Sequence, residues 1–294
     1  MIVVAANPYR GAAGPRARVE ALVAALGAAG ATARVVWDAA ERAALLGDHG
    51  AMADVRCVVA AGGDGTVAAV INELVGDVPL AVLPTGNENL FARALGFNVA
   101  PARLARAIAA GGRRRLDLGQ ARTAERTRRF GLMLSAGFDA EVVHRVARLR
   151  ASGGPPRRVG RASYVRPMGA ALWTYRHTPV SVTADGVSVA AAYCVIGNLP
   201  DYAMALSLTP DARADDGLLD WVAFERCGLV ALTAYAWAVM RARHHALPHV
   251  RGGRARRLHL TSALPVPVQL DGEPAGFTPV EVEVLPAALV VVVV

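Results

Sequence analysis

The chain has 294 residues, 54% of them hydrophobic and 5% aromatic, and a formal net charge of +8. It contains no lysine, which excludes a phosphate-loop lysine and a Schiff-base lysine and leaves any phosphate to arginine and backbone N–H groups. The basic balance suits a phosphorylated ligand, an anionic membrane surface or nucleic acid. Cys57, Cys194 and Cys227 are too scattered for a disulfide framework or a metal knot, as expected of a reduced cytosol. The opening MIVVAANPYR reads as a strand and lacks a secretory pattern, and no apolar run reaches the ~18 residues of a membrane span.

In chain order, the first third alternates strands and helices: strands at Ile2–Ala6, Thr32–Trp37, Val55–Ala61 and Val78–Leu83, helices at Pro15–Ala29, Asp38–Leu46, Val67–Leu74, Asn89–Leu95 and Pro101–Ala109. Continuous apolar strands between helices predict a parallel sheet covered on both faces, with ligands beyond the carboxyl ends of the strands. The loops after Ala6, Ala61 and Leu83 are therefore expected to gather at one edge. After Gly111-Gly112-Arg113-Arg114-Arg115 the pattern becomes mainly strand: Arg115–Ala121, Arg129–Ser135, Val180–Thr183, Val189–Ile196, Leu218–Phe224, Arg257–Thr261, Val266–Leu270, Val280–Val284 and Val290–Val294. Helices interrupt it at Asp139–Arg150, Ala162–Tyr175 and Leu229–Arg243, and Ser152–Arg161 reads as a loop. The prediction is an α/β nucleotide-binding domain over residues 1–112 and a mainly antiparallel β-sandwich domain over 113–294.

Four segments carry chemistry. Gly62-Gly63-Asp64-Gly65-Thr66 joins a strand to a helix, presenting unpaired N–H groups where glycines allow phosphate to approach closely. Asp64 repels phosphate and points instead to a metal ion or a hydroxyl proton. Asn7-Pro8-Tyr9-Arg10-Gly11 falls on the same predicted edge: Asn7 to brace the loop, Arg10 to meet phosphate, Gly11 to turn. An ordinary strand-to-helix loop is the rival reading. Pro84-Thr85-Gly86-Asn87-Glu88-Asn89 adds a glycine turn and polar side chains, against a plain helix cap at Asn87 or Asn89. Further on, Asp271-Gly272-Glu273 sets two carboxylates around a glycine, a base with a metal partner or a simple Asp-Gly hairpin turn. Asp215-Asp216-Gly217-Leu218-Leu219-Asp220 offers Mg²⁺ ligands or a solvated turn. Pro248 breaks the histidine group 244–249, which argues against zinc. The arginine-rich stretches, Arg126–Arg129 among them, lack interleaved aromatics and read as solvated faces or an anionic-lipid surface, without support for nucleic acid.

Taken in order, these segments resemble the diacylglycerol kinase catalytic family, most closely its bacterial lipid-kinase branch, which is related to the sphingosine kinases. Leu116-Asp117-Leu118-Gly119, Ala136-Gly137-Phe138-Asp139-Ala140, Gly197-Asn198 and Pro210-x-Ala212 complete the series across nearly the whole chain. The resemblance implies transfer of the ATP γ-phosphate to a lipid hydroxyl with Mg²⁺, in a cleft between the two domains. It implies a nucleotide site of Asn7, Pro8, Arg10, Gly11, Gly62, Gly63, Asp64, Gly65, Thr66, Pro84, Gly86, Asn87 and Asn89. It makes Glu273 the general base, with Asp64 assisting through magnesium or competing for that role. Magnesium falls to Asp216 with backbone oxygens near Arg213 and Leu218, and Asp117 and Asp271 to a supporting network. The resemblance also implies a lipid substrate, peripheral contact with an anionic membrane surface from the cytoplasmic side, no nucleic acid, and admits a homodimer. The chain departs from the family at Ala68-Ala69, usually Asn-Glu, at Asn87, usually Thr, and at Leu90, usually Asp; Glu88 and Glu73 are the acids at hand to compensate for Leu90.

Overall fold

The computed structural model describes residues 1–7, 13–151, 178–200 and 206–294. Pro8, Arg10 and Gly11 lie outside them, as do the loop expected at 152–161 and the helix expected at 162–175. Two compact units result: residues 1–117 with 287–294, and residues 118–286. The chain leaves the first unit after Asp117 and returns to it after Pro286, so the terminal residues, assigned by pattern to the second domain, are grouped with the first.

The first unit has strands β1 (Ile2–Ala6), β2 (Ala33–Val36), β3 (Cys57–Gly62) and β4 (Leu80–Pro84). Its helices are α1 (Ala13–Ala28), α2 (Ala39–Leu46), α3 (His49–Met52), α4 (Asp64–Glu73), α5 (Leu90–Ala94) and α6 (Pro101–Ala110). The strands pair in parallel in the order β2-β1-β3-β4. Every residue of β1, β3 and β4 is buried, as their β-branched, apolar composition requires of a sheet covered on both faces. Local chemistry fixes the helix ends. Asp38 caps α2 by accepting the Ala40 and Glu41 N–H groups, Pro101 opens α6, and Gly111 closes it in the left-handed region at φ 73°.

Strand β5 (Arg113–Arg122) leads into the second unit, where β6 (Thr127–Phe130), β7 (Met133–Ala136), α7 (Phe138–Ala151), β8 (Val180–Ala184), β9 (Val187–Ala191), β10 (Tyr193–Gly197), β11 (Leu219–Phe224), α8 (Leu229–Met240), β12 (Val250–Ala255), β13 (Arg257–Ser262), β14 (Pro267–Leu270), β15 (Glu273–Phe277) and β16 (Val280–Val292) follow. An antiparallel sheet in the order β12-β11-β10-β7-β14-β15 faces a second one containing β9-β8-β13-β16. Leu134, Ile196 and Val268 from the first and Val182, Leu258 and Val282 from the second share one core, which makes this unit a sandwich.

Two predicted strands are each two. Arg129–Ser135 breaks at Gly131-Leu132, and Val189–Ile196 breaks at Ala192, where the chain passes from one sheet to the other. Conversely, Val280–Val284 and Val290–Val294 form the single strand β16, whose end pairs in parallel with β4 through Val291 and Leu80. Among the described residues no helix is long and apolar enough to cross a membrane. Cys57 and Cys194 are buried, which pushes both thiols up to about 12, and no cysteine is in a disulfide.

Candidate functional sites in the two units

In the first unit the carboxyl ends of the three expected strands do meet. Asn7 N–H donates to the Ala61 carbonyl (3.2 Å) and Thr85 N–H to the Gly62 carbonyl (3.0 Å), so the ends of β1, β3 and β4 lie side by side. Asn7 Nδ2 reaches Thr66 Oγ1 at 3.4 Å. Glycine is required twice here. A Cβ on Gly62 would sit 2.1 Å from Thr66 Oγ1, and one on Gly86 would sit 2.5 Å from the Gly63 Cα. The two turns therefore pack backbone on backbone, with no room for a side chain between them.

Asn89 builds the second turn. Its Oδ1 accepts the Gly86 N–H (3.0 Å) and its Nδ2 donates to the Gly86 carbonyl (2.9 Å), while its own backbone is left-handed at φ 50°. Asn89 stands at the N-cap position of α5 but its side chain makes no cap bond, so the plain-cap reading gives way to the glycine-loop one, in which the side chain closes the loop it follows. Asn87 is exposed at the tip, and Pro84 ends β4.

Asp64 is the first residue of α4 and half-buried, with Gly65 exposed beside it. Its Oδ1 accepts the Phe91 N–H at 3.0 Å. Burial pushes the carboxyl above its ordinary value; the N–H groups of Phe91 and Leu90 oppose that, and the charge of Glu88 adds to it. Leu90 is buried, and Glu73 is committed elsewhere: at the far end of α4 its two oxygens take Arg42 at 2.7 and 2.8 Å. Glu88 is thus the acid that acts on Asp64. Asp117 is buried and accepts the Ala287 N–H at 2.7 Å, while Arg115 donates to the Ala287 carbonyl.

In the second unit Asp271 and Gly272, at φ 48° and 82°, form the two-residue turn between β14 and β15. The hairpin reading holds, and it assigns Asp271 its work. Its carboxylate accepts three backbone N–H groups, from Gly131 (2.8 Å), Leu132 (2.9 Å) and Met133 (2.9 Å). Glu273, half-buried, is the first residue past the turn. A relay that sequence reasoning missed holds this hairpin from behind. Gly272 N–H donates to Gln269 Oε1 (2.8 Å), Gln269 Nε2 donates to Ser135 Oγ (2.9 Å), and Ser135 donates to Asp139 (2.5 Å). Arg128 was missed as well. Burial and the neighbouring Arg126 pull its guanidinium below its ordinary value, opposed by the charges of Asp271 and Glu273. The signal was present in the Thr127–Phe130 strand pattern, which sets Arg128 apart from a solvated run.

The aspartate segment lies in the same unit. Asp216 Oδ1 accepts the Leu218 N–H (3.1 Å), whereas Asp216 Oδ2 and Asp220 Oδ2 are buried without a hydrogen-bond partner. Burial pushes Asp220 up to about 6, with Asp216 and Asp211 adding to the shift and Arg254 opposing it. Arg213 pairs with Asp215 at 3.1 Å. Asp216 Oδ2 faces the Arg254 guanidinium at 3.6 Å, so a hard divalent cation taking these carboxylate oxygens and nearby carbonyls would replace that ion pair. Among the described residues no group of three His, Cys, Asp or Glu side chains forms a metal cluster on its own. A cavity of about 480 Å³ in this unit is lined by Gln120, Arg122, Arg257, Glu281 and their neighbours, and by none of the predicted site residues.

The parallel α/β unit and the antiparallel sandwich are folds also found in solved diacylglycerol and NAD kinases. Residues 1–121 match the diacylglycerol kinase catalytic domain, and residues 132–293 match the YegS C-terminal NAD kinase beta sandwich-like domain. The chain belongs to this lipid-kinase family. It is 30% identical over 238 residues to "Diacylglycerol kinase" of Mycobacterium tuberculosis, covering 79% of this chain and 75% of that one. To "Probable lipid kinase YegS-like" of Stenotrophomonas maltophilia it is 31% identical over 271 residues, covering 86% and 83%. A diacylglycerol kinase structure from Bacillus anthracis superposes with a TM-score of 0.74 at 21% identity, over 100% of this chain and 96% of the other. An NAD kinase from Archaeoglobus fulgidus in complex with ATP shares the fold at a TM-score of 0.57 and 12% identity, over 99% and 93%.

Proposed function

We propose that the protein transfers the γ-phosphate of ATP, with Mg²⁺, to the hydroxyl of a diacylglycerol-like or sphingoid lipid. The observation that carries this reading is the backbone contact between Gly63 and Gly86 beside the half-buried Asp64. Side-chain-free turns at the start of α4 offer N–H groups to phosphate oxygens, and phosphoryl transfer asks mainly for positioning and neutralisation. In this reading Asn7, Gly62–Thr66 and the Gly86–Asn89 turn hold the nucleotide, with Pro8, Arg10 and Gly11 completing the site.

Glu273 takes the proton from the lipid hydroxyl, a contribution of about 10²–10⁴-fold for a well-placed base. Asp271 fixes the hairpin that presents it, and the Gln269–Ser135–Asp139 relay fixes the turn's orientation. Asp64, whose carboxyl burial has made easier to protonate, assists at the phosphoryl end. Bound magnesium would supply charge neutralisation for the phosphates; Asp216 and Asp220, with the carbonyls of Arg213 and Leu218, would hold a structural ion.

The test is purified protein with Mg-ATP and a panel of diacylglycerols, sphingoid bases and ceramides, read by mass detection. Phosphorylated lipid from the wild type and none from Glu273→Gln supports the assignment. Wild type and variant equally inert on every lipid, or turnover of NAD alone, refutes it.

A further inference from the structure

We infer that the outward face of α8 is the element by which the protein lies on an anionic bilayer, a conclusion that rests on the lipid-kinase reading and assigns it a surface. From Leu229 to Met240 this helix carries no charged residue. One side is clamped to the sandwich: Tyr235, Ala238 and Val239 are buried, the Tyr235 ring lies 4.9 Å from that of Phe224, and its hydroxyl accepts the Arg226 N–H. Among the described residues the other side is uncovered. Val230 is 83% exposed, Met240 71%, Trp237 59% and Leu229 49%, where a soluble surface would carry polar side chains.

These residues form one stripe, because positions 229, 233, 237 and 240 recur at helical spacing. Thr233 does not interrupt it: its hydroxyl turns back to the Leu229 and Val230 carbonyls at 2.9 and 3.0 Å. The twelve-residue helix is about 18 Å long, too short to span a bilayer and suited to lying within its interface.

The rim selects the occupant. Arg226, Arg241 and Arg243 are exposed at the two ends of the helix, and the sequence from Arg226 to Arg251 holds no acid. Arg241 lies over the Trp237 ring, 3.8 Å from its centroid, joining the cationic rim to the apolar stripe. Tryptophan and arginine together match the headgroup level of a membrane, where the ring meets acyl chains and the guanidinium meets phosphate. A second copy docking through the same face would place the Arg226, Arg241 and Arg243 rim against itself, since a two-fold contact repeats the patch on both sides.

The experiment compares wild type, Val230→Glu/Met240→Glu and Arg241→Glu/Arg243→Glu. Cosedimentation uses vesicles of phosphatidylglycerol with phosphatidylcholine, and of phosphatidylcholine alone. Turnover is measured on vesicle-embedded diacylglycerol and on a short-chain, water-soluble one, and circular dichroism checks the fold. Wild type is expected to bind the anionic vesicles, and each double variant to bind them about tenfold more weakly or worse. Turnover should fall on the embedded lipid and stay unchanged on the soluble one. Variants that bind vesicles as wild type does overturn the inference, as does a dimer by light scattering that Val230→Glu/Met240→Glu dissolves while vesicle binding persists. Failure of wild type to phosphorylate either lipid counts against the lipid-kinase reading alone, because cosedimentation still decides the role of the helix.

Discussion

Asp64 and Asp271 each stand beside a glycine after an apolar strand, and the two are placed very differently. Asp271 accepts three backbone N–H groups and ties the 131–133 segment to a hairpin, whereas the oxygen Asp64 turns to the backbone accepts the Phe91 N–H, and burial raises its carboxyl. What the bonds reach separates them: Asp271 clasps a segment distant in sequence, while Asp64 bonds beside its own glycine turn and is raised by burial and by Glu88. A carboxylate that ties a remote backbone segment to a turn is a structural fastener, and one raised by burial at a glycine turn is poised for chemistry.

The largest effect that sharpens this contrast is on turnover. Asp64→Asn should cut lipid phosphorylation by about 10²–10⁴-fold while shifting urea stability by less than about 1 kcal/mol, since the amide oxygen still accepts from Phe91 and no buried charge remains. Asp271→Ala should do the reverse, costing about 3–5 kcal/mol in the same denaturation experiment because three N–H groups lose their acceptor. A wild-type melt for Asp271→Ala would break the comparison outright. Asn89→Ala should cost about 2 kcal/mol, from two lost hydrogen bonds and a left-handed backbone without its preferred side chain; Asn89→Gly should cost about half that by relieving the backbone alone. Calorimetric Tm values for the pair separate the two contributions.

The smallest effect is on pH. His244 is fully buried, its Nε2 lies 2.9 Å from the Leu208 carbonyl, and burial lowers its pKa. The unfolded chain therefore binds the proton more readily than the folded one. The stability contribution is complete above the unfolded value of about 6.5 and is lost as pH falls through the folded value. Urea melts between pH 7.5 and 5 should show a decline that His244→Gln flattens.

Much of the first unit was legible because parallel strands and their helices are local patterns, and the ends of β1, β3 and β4 met where strand polarity placed them. The second unit concealed more, for reasons that lie far away in sequence. The break at Gly131-Leu132 has no turn residue except the glycine; what makes it is Asp271, drawing in three consecutive N–H groups. Ala192 bends the chain between sheets without any glycine or proline to announce it. Strand β12 was hidden by its composition, VRGGRA, with four exposed residues. A Cβ on Gly252 would sit 2.8 Å from the Trp221 carbonyl, a packing demand visible only once β11 lies alongside. The relay from Gly272 to Asp139 joins residues that no motif connects.

The strand beside β4 reaches it late in the life of the chain. Leu80 is synthesised early, yet its neighbour Val291 emerges from the ribosome only after the whole sandwich has been made. Until then β4 offers a bare row of amides and carbonyls to any passing polypeptide. The first unit thus waits on a closing act by a few valines, and a message cut short before residue 287 should yield aggregates in place of a weakened protein.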